Sequence, residues 1–246
     1  MNNPFSVEGK TILVTGASSG IGAEVAVGLA QLKANLVITG RNEERLSNIY
    51  NRLSGSNHSK IIADLNRMED IDKLISELPV LDGVVFCAGI VKTMPVKNIT
   101  DAAIDQIFET NIISNIRLCK RILREKKIAK GGSVVFISSV STFNVKIGNS
   151  LYSATKGAMN SFSKAMALEV ASQKIRVNCI QPGFIKTALL NSGMITDEQL
   201  DAYVSKHPLG LGSPDDVANM CVYLLSDASK WVTGSILTID GGLTLQ

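Results

Sequence analysis

The sequence predicts an α/β fold: a doubly wound, seven-stranded parallel sheet flanked by helices, in a single domain over residues 1–246. Three observations predict it. Seven short apolar runs, rich in Val and Ile, show little polar alternation, as strands buried on both faces do. Longer stretches at helical spacing separate the runs, which gives the βαβα rhythm of a parallel sheet. At 246 residues, 45% apolar and 19% charged, the chain can bury a large core and is not a charge-rich disordered segment.

The first run is Thr11–Thr15, followed by a helix to about Leu32. Asn35–Thr39, Lys60–Ala63, Gly83–Cys87, Ser133–Ser138, Ile175–Gln181 and Ile236–Ile239 are the other six. Between the fourth and fifth, Ile104, Ile107, Phe108 and Ile112 place one helical face toward a core, and Ile116, Cys119 and Leu123 extend it. Tyr152–Val170 reads as a helix with Ala154, Ala158, Phe162, Met166 and Leu168. Residues 187–212 break the rhythm and read as an inserted loop or lid ending in His207-Pro208-Leu209-Gly210. Its apolar Leu189, Leu190, Met194 and Ile195 suit an apolar substrate pocket, or packing on the core or a neighbouring subunit.

Composition also excludes chemistries. The cysteines Cys87, Cys119, Cys179 and Cys221 are at least 32 residues apart, and the histidines are His58 and His207 alone. With no C-x-x-C or H-x3-H spacing, no metal site is expected, and a Ser–His triad has poor material. Met1–Lys10 has no basic region leading into an apolar run, and no apolar segment approaches membrane-spanning length. A cytoplasmic protein with reduced thiols and no membrane contact is expected.

After the first strand comes Thr15-Gly16-Ala17-Ser18-Ser19-Gly20-Ile21-Gly22, a G-x3-G-x-G turn opening a helix. Glycine lets backbone approach a ligand closely, and a helix N-terminus offers free N–H groups to a pyrophosphate. An ordinary strand–helix turn can carry the same glycines, but the place after the first strand favours a dinucleotide, held by Gly16, Ser18, Ser19, Gly20, Ile21 and Gly22. The second strand ends in Gly40-Arg41-Asn42, with no carboxylate before Glu43. A carboxylate there would bond a ribose 2′-OH, whereas a guanidinium pairs with a 2′-phosphate. Arg41 therefore favours NADP(H) over NAD(H); a solvated residue at the helix start is the alternative.

The fifth strand ends in Ser138-Ser139, and Tyr152 and Lys156 follow on one predicted helix. Residues four apart share a helix face, so both can enter one cleft. A phenol, with a pKa of about 10, needs help to exchange protons at neutral pH, and a nearby ammonium lowers that value. A serine hydroxyl at a strand end can bond the oxygen where charge develops. Ser139 and Tyr152 would thus contact a substrate carbonyl, with Tyr152 protonating it during hydride delivery.

With these residues in this order, the sequence resembles the short-chain dehydrogenase/reductase family over essentially its whole length, a Rossmann-type fold. The motifs are Gly16-x3-Gly20-x-Gly22, Asp64-Leu65, Asn111, Ser139, Tyr152, Lys156 and Pro182-Gly183-Phe184-Ile185-Lys186-Thr187. The resemblance implies catalytic roles for Asn111, Ser139, Tyr152 and Lys156, with Lys156 binding the nicotinamide ribose and Asn111 bending a helix and holding a relay water. It implies cofactor contacts from Asp64, Leu65, Ala88, Gly89, Pro182, Gly183, Ile185 and Thr187, besides Tyr152 and Lys156. The family's Asn-Ala-Gly after the fourth strand reads Cys87-Ala88-Gly89 here. A thiol cannot replace the amide's hydrogen bonds, so a local loss of sheet bracing is expected.

Within the family, Pro214-Asp215-Asp216-Val217-Ala218 and Thr238-Ile239-Asp240-Gly241-Gly242 look most like 3-oxoacyl-[acyl-carrier-protein] reductases. Reductases of sugars, polyols and steroids share the pattern. Two arginines that hold the acidic carrier in such reductases read Lys130 and Gln173 here. Residues 117–130 nonetheless hold seven basic residues (Arg117, Lys120, Arg121, Arg124, Lys126, Lys127, Lys130) against Glu125. That segment is read as a solvated face or subunit contact, or as a site for an anionic partner such as an acidic carrier protein. No nucleic-acid motif accompanies it. The resemblance further implies a homotetramer. The expected activity is NADPH-dependent reduction of a small-molecule carbonyl, with 3-oxoacyl thioesters, sugars, polyols or steroids as substrate classes. A non-catalytic nucleotide-binding scaffold is the reading from a different class.

Overall fold

The computed structural model describes residues 3–186 and 204–245. Seven parallel strands form one sheet in the order β3-β2-β1-β4-β5-β6-β7. They are β1 (Thr11–Thr15), β2 (Asn35–Gly40), β3 (His58–Ile62), β4 (Leu81–Phe86), β5 (Ile128–Ile137), β6 (Arg176–Pro182) and β7 (Ile236–Ile239). The helices are α1 (Gly20–Gln31), α2 (Glu43–Tyr50), α3 (Met68–Glu77), α4 (Asp101–Phe108), α5 (Ser114–Arg124), α6 (Ser150–Glu169) and α7 (Pro214–Leu225).

Strand side chains alternate between two buried layers. Leu13, Val37, Val84, Phe86, Val134, Phe136 and Val177 pack with α3, α5 and α6. Ile12, Val14, Leu36, Ile38, Val85, Val135 and Ile180 pack with α1, α2 and α7. Both faces of the sheet are therefore covered, which is why these strands read as unbroken apolar runs. The chain order reverses about β1, which pairs with both β2 and β4. A crevice opens at such a switch point, beyond the carboxyl ends of the strands.

Three details differ from the sequence expectation. The fifth strand begins at Ile128, not Ser133, and its pairing with β4 shifts register between Leu81 and Gly83. The exposed, glycine-broken stretch hides this early pairing from any apolar count. The helical stretch between β4 and β5 is not one helix: a π-turn over Glu109–Ile113 separates α4 from α5. Finally, Ile107, Ile112 and Cys119 are buried as expected, whereas Ile104 and Ile116 are exposed. Of the expected lid, residues 187–203 lie outside the described residues. Among the rest, Gly212 bridges to Ile185.

Candidate active site

A cleft of about 830 Å³ lies at the carboxyl ends of the strands. Its wall begins with the glycine turn. Gly16 has φ +66°, and a Cβ there would lie 2.7 Å from the Ala88 backbone. A Cβ on Gly22 would meet the Gly16 carbonyl at 2.5 Å. Only glycine fits at either place, because β1, α1 and the end of β4 meet there backbone to backbone. Ser19, the N-cap of α1, makes no side-chain cap bond, so the first-turn N–H groups face the cleft without one. This cradle fits the pyrophosphate of a dinucleotide.

Of the residues singled out from sequence, Gly16, Ser18, Ser19, Gly20, Ile21, Gly22, Arg41, Asp64, Leu65, Ala88, Gly89, Ser139, Tyr152, Lys156, Pro182, Gly183 and Ile185 line this one cleft. Thr187 lies outside the described residues. At the β2 end, Gly40 packs against Ser18, and Arg41 follows. Arg45 lines the cleft too, and its backbone N–H donates to Asn42 Oδ1 at 2.8 Å. Sequence reasoning missed Arg45, although its spacing of four from Arg41 at a helix start was the available signal. It also missed Asn66, whose Nδ2 donates to Thr110 Oγ1 at 3.1 Å, both residues lining the cleft.

On the opposite wall, Ser139 lies just past the end of β5 in extended backbone, its Oγ accepting from the Ser141 N–H at 3.1 Å. Gln181, buried at the end of β6, donates from Nε2 to the Ser139 carbonyl at 3.1 Å and so fixes that turn. No sequence motif marks Gln181. Tyr152 and Lys156 sit one turn apart on α6, the Lys156 Nζ 5.7 Å from the Tyr152 ring centre. Nζ donates to the Ile137 carbonyl at 2.7 Å. Asn111 does not line the cleft; it is fully buried beneath it, in the π-turn. Its Oδ1 accepts from the Ile90 N–H at 2.7 Å, and its Nδ2 donates to the Ile90 carbonyl and to Thr155 Oγ1. A Cβ on Gly89 would lie 3.3 Å from Asn111 Oδ1 and 3.6 Å from Lys156 Nζ, so Gly89 leaves room between the two.

Burial governs the electrostatics. It pushes the Tyr152 phenol up, and a hydrogen bond with Ser139 opposes that. The sequence expectation that Lys156 lowers this pKa thus meets a larger, opposite contribution, which keeps Tyr152 protonated. Burial also brings Lys156 down to about 8 from 10.5. Between these two values the unfolded chain holds a proton on this group that the folded chain has released, so the Lys156 contribution to stability rises with pH across that window, by at most about 1.4 kcal/mol per pH unit. The four buried thiols, all pushed up, act with the opposite sign from about pH 9, so the contribution is read as a difference between native protein and variant. The unfolding free energy of Lys156→Met relative to native should fall as pH rises from about 8 to 10.5 in urea unfolding; a difference that does not change with pH would refute it.

Cys87 lines the cleft, and burial pushes its thiol up to about 12 against the pull of Lys156. Backbone donors tie the end of β4 to β1 beside Cys87. Thr15 Oγ1 accepts from the N–H groups of Cys87 and Ala88, at 3.2 and 3.4 Å, and continues the β1–β4 pairing beyond Phe86.

The basic segment divides. Arg117 pairs with Glu109, Arg121 with Asp72, and Lys127 Nζ donates to the Leu78 carbonyl. Lys120, Arg124, Lys126 and Lys130 are exposed. Among the described residues, no helix is long and apolar enough to cross a membrane.

The chain is similar to known proteins over nearly its whole length. A family described as "Enoyl-(Acyl carrier protein) reductase" matches residues 16–244. A 3-oxoacyl-[acyl-carrier-protein] reductase FabG from Rickettsia felis is 34% identical over 242 residues, covering 98% of this chain and 99% of the relative. A tropinone reductase homolog from Arabidopsis thaliana is 34% identical over 250 residues, covering 98% and 95%. Among solved structures, a short-chain type dehydrogenase/reductase from Mycobacterium ulcerans superposes with a TM-score of 0.90 at 32% identity, covering 98% and 92%.

Proposed function

The chain belongs to the short-chain dehydrogenase/reductase family of oxidoreductases, and from that premise we propose that it reduces a carbonyl to an alcohol with NADPH. The carrying observation is that Ser139, Tyr152 and Lys156 meet on one wall of a cleft whose other wall is the Gly16–Gly22 cradle.

When bound, the nicotinamide cofactor supplies the hydride. The chain's own residues do the rest. Gly16, Ser18, Ser19, Gly20, Ile21 and Gly22 would hold the pyrophosphate, and Arg41 with Arg45 would meet the 2′-phosphate. Asp64, Leu65, Ala88 and Gly89 would hold the adenosine side and the path to the nicotinamide. Pro182, Gly183 and Ile185 would border the nicotinamide. Ser139 Oγ donates to the substrate oxygen and fixes its place. Tyr152, kept protonated by burial, gives its hydroxyl proton to that oxygen as negative charge develops. The Lys156 ammonium, present below about pH 8, stabilises the phenolate that remains. Asn111 ties Ile90 to Thr155 and holds the route by which the proton is replaced.

The favoured substrate is a 3-oxoacyl thioester, supported by the full-length likeness to the Rickettsia felis reductase. A ketone of another class is the second reading, supported by the equally long likeness to the tropinone reductase homolog. Exposed Lys120, Arg124, Lys126 and Lys130 would face an acidic carrier. The same reading takes the chain as a single domain, cytoplasmic, and assembled as a homotetramer. Trp231 at 97% exposure and Leu168 at 82% support assembly, since such apolar surface is normally covered.

The test is NADPH oxidation by the purified protein with 3-oxoacyl thioesters, keto-sugars and keto-steroids. Turnover of the thioesters above the others supports the favoured reading. NADPH binding without turnover of any carbonyl would instead support the scaffold.

A further inference from the structure

The π-turn widens its helix, so the Ser114 N–H reaches back five residues to the Glu109 carbonyl. The Thr110 carbonyl thereby loses its regular partner, the Ser114 N–H. Two side chains of the next turn donate back into the π-turn. Ser114 Oγ donates to the Thr110 carbonyl at 2.9 Å, and Asn115 Nδ2 donates to the Asn111 carbonyl at 2.8 Å. Asn115 is fully buried. Its amide orientation is dictated by that neighbour, because a carbonyl oxygen takes an N–H and repels Oδ1. As a result, Asn115 Oδ1 is buried with no hydrogen-bond partner. An unpartnered buried acceptor is costly, and an apolar side chain of similar size would have none. What the amide adds over such a side chain is its one bond to Asn111.

We propose that Asn115 is a positioning residue for the reaction, holding the main chain of Asn111 so that the Asn111 amide stays registered between Ile90 and the catalytic helix. The path is continuous. Asn115 Nδ2 holds the Asn111 carbonyl, and Asn111 Nδ2 donates to Thr155 Oγ1 at 3.1 Å. Thr155 Oγ1 donates in turn to the Tyr152 carbonyl at 2.8 Å. On the other side, Asn111 fixes both backbone groups of Ile90, which lines the cleft. Its effect on turnover rests on the reductase reading; its hold on Asn111 does not.

A matched pair of variants separates the hydrogen bond from packing. Thr and Val have nearly the same shape, but only Thr carries a hydroxyl that can donate to a carbonyl four residues back, as Ser114 does. In Asn115→Val, kcat is expected to fall about tenfold or more, while the Kd and KM for NADPH stay within about twofold; Asn115→Thr restores kcat to within about threefold of the native protein. Amide exchange at Ile90, read by mass spectrometry or NMR, is expected to quicken about tenfold in Val and to stay near native in Thr. Equal kcat and equal exchange in Val and the native protein overturn the proposal. So do equal losses in Val and Thr, which would mean packing alone. If Asn115→Val does not fold, Asn115→Ala and Asn115→Ser repeat the contrast at smaller volume. If the native protein reduces no carbonyl, the reductase reading fails by itself, and the exchange contrast still decides whether Asn115 positions Asn111.

Discussion

Tyr152→Phe is expected to lower kcat by about 10²–10⁴-fold while changing the Kd for NADPH less than about threefold. The substitution keeps the ring and removes one oxygen. The ring's packing on α6 and beside Lys156 Nζ therefore persists, and so does the glycine cradle across the cleft. What is lost is the one acidic proton that burial holds ready beside Ser139. Lys156 does not replace it, because its Nζ, 5.7 Å from the ring centre, does not stand where the hydroxyl was. Ser139 cannot either, since a serine hydroxyl is a far weaker acid than a phenol. Steady-state kinetics on the best carbonyl substrate, with NADPH binding followed by fluorescence, provide the check. A variant retaining more than about a tenth of native kcat would remove Tyr152 from the role of acid.

The same residues show how far the sequence could be read. Strand existence was legible because a sheet covered on both faces demands apolar side chains at every position, as in Val84-Val85-Phe86. The candidate site positions were legible because they sit where chain direction changes: Ser139 just past a strand end, and Tyr152 and Lys156 at the start of a long helix. What stayed hidden depends on long-range contact. Gln181 supports Ser139 from another strand, and Asn66 reaches Thr110 across 44 residues of sequence. The π-turn is a backbone event within an ordinary amphipathic pattern, and with it went the role of Asn115. The Tyr152 shift was misjudged because spacing shows that an ammonium is near but not how much water both groups lose. The hydroxyl that takes the Cys87 N–H belongs to Thr15, 72 residues away, so no local pattern announces it.

The choice between the two nicotinamide cofactors rests on the end of β2, where a second arginine changes the expected size of the effect. Arg41 and Arg45 both line the cleft, and both are exposed. A charge-assisted hydrogen bond contributes about 1.5–3 kcal/mol, and solvent screening at an exposed site favours the lower end. Arg41→Ala should therefore raise the KM for NADPH about tenfold, and Arg41→Ala with Arg45→Ala about a hundredfold. Neither should move the KM for NADH by more than about twofold, since NADH carries no 2′-phosphate to lose. Because the contact is exposed, the native preference should also shrink as salt is raised, which a buried or shape-based preference would not do. Arg41→Asp goes further: its carboxylate repels the phosphate and accepts from the ribose 2′-OH, so the preference should invert toward NADH. Kinetics with both cofactors at two ionic strengths test these statements. Equal changes for NADH and NADPH would show that these arginines shape the cleft without reading the phosphate. A single-arginine effect as large as the double would show that Arg45 lines the cleft without taking part.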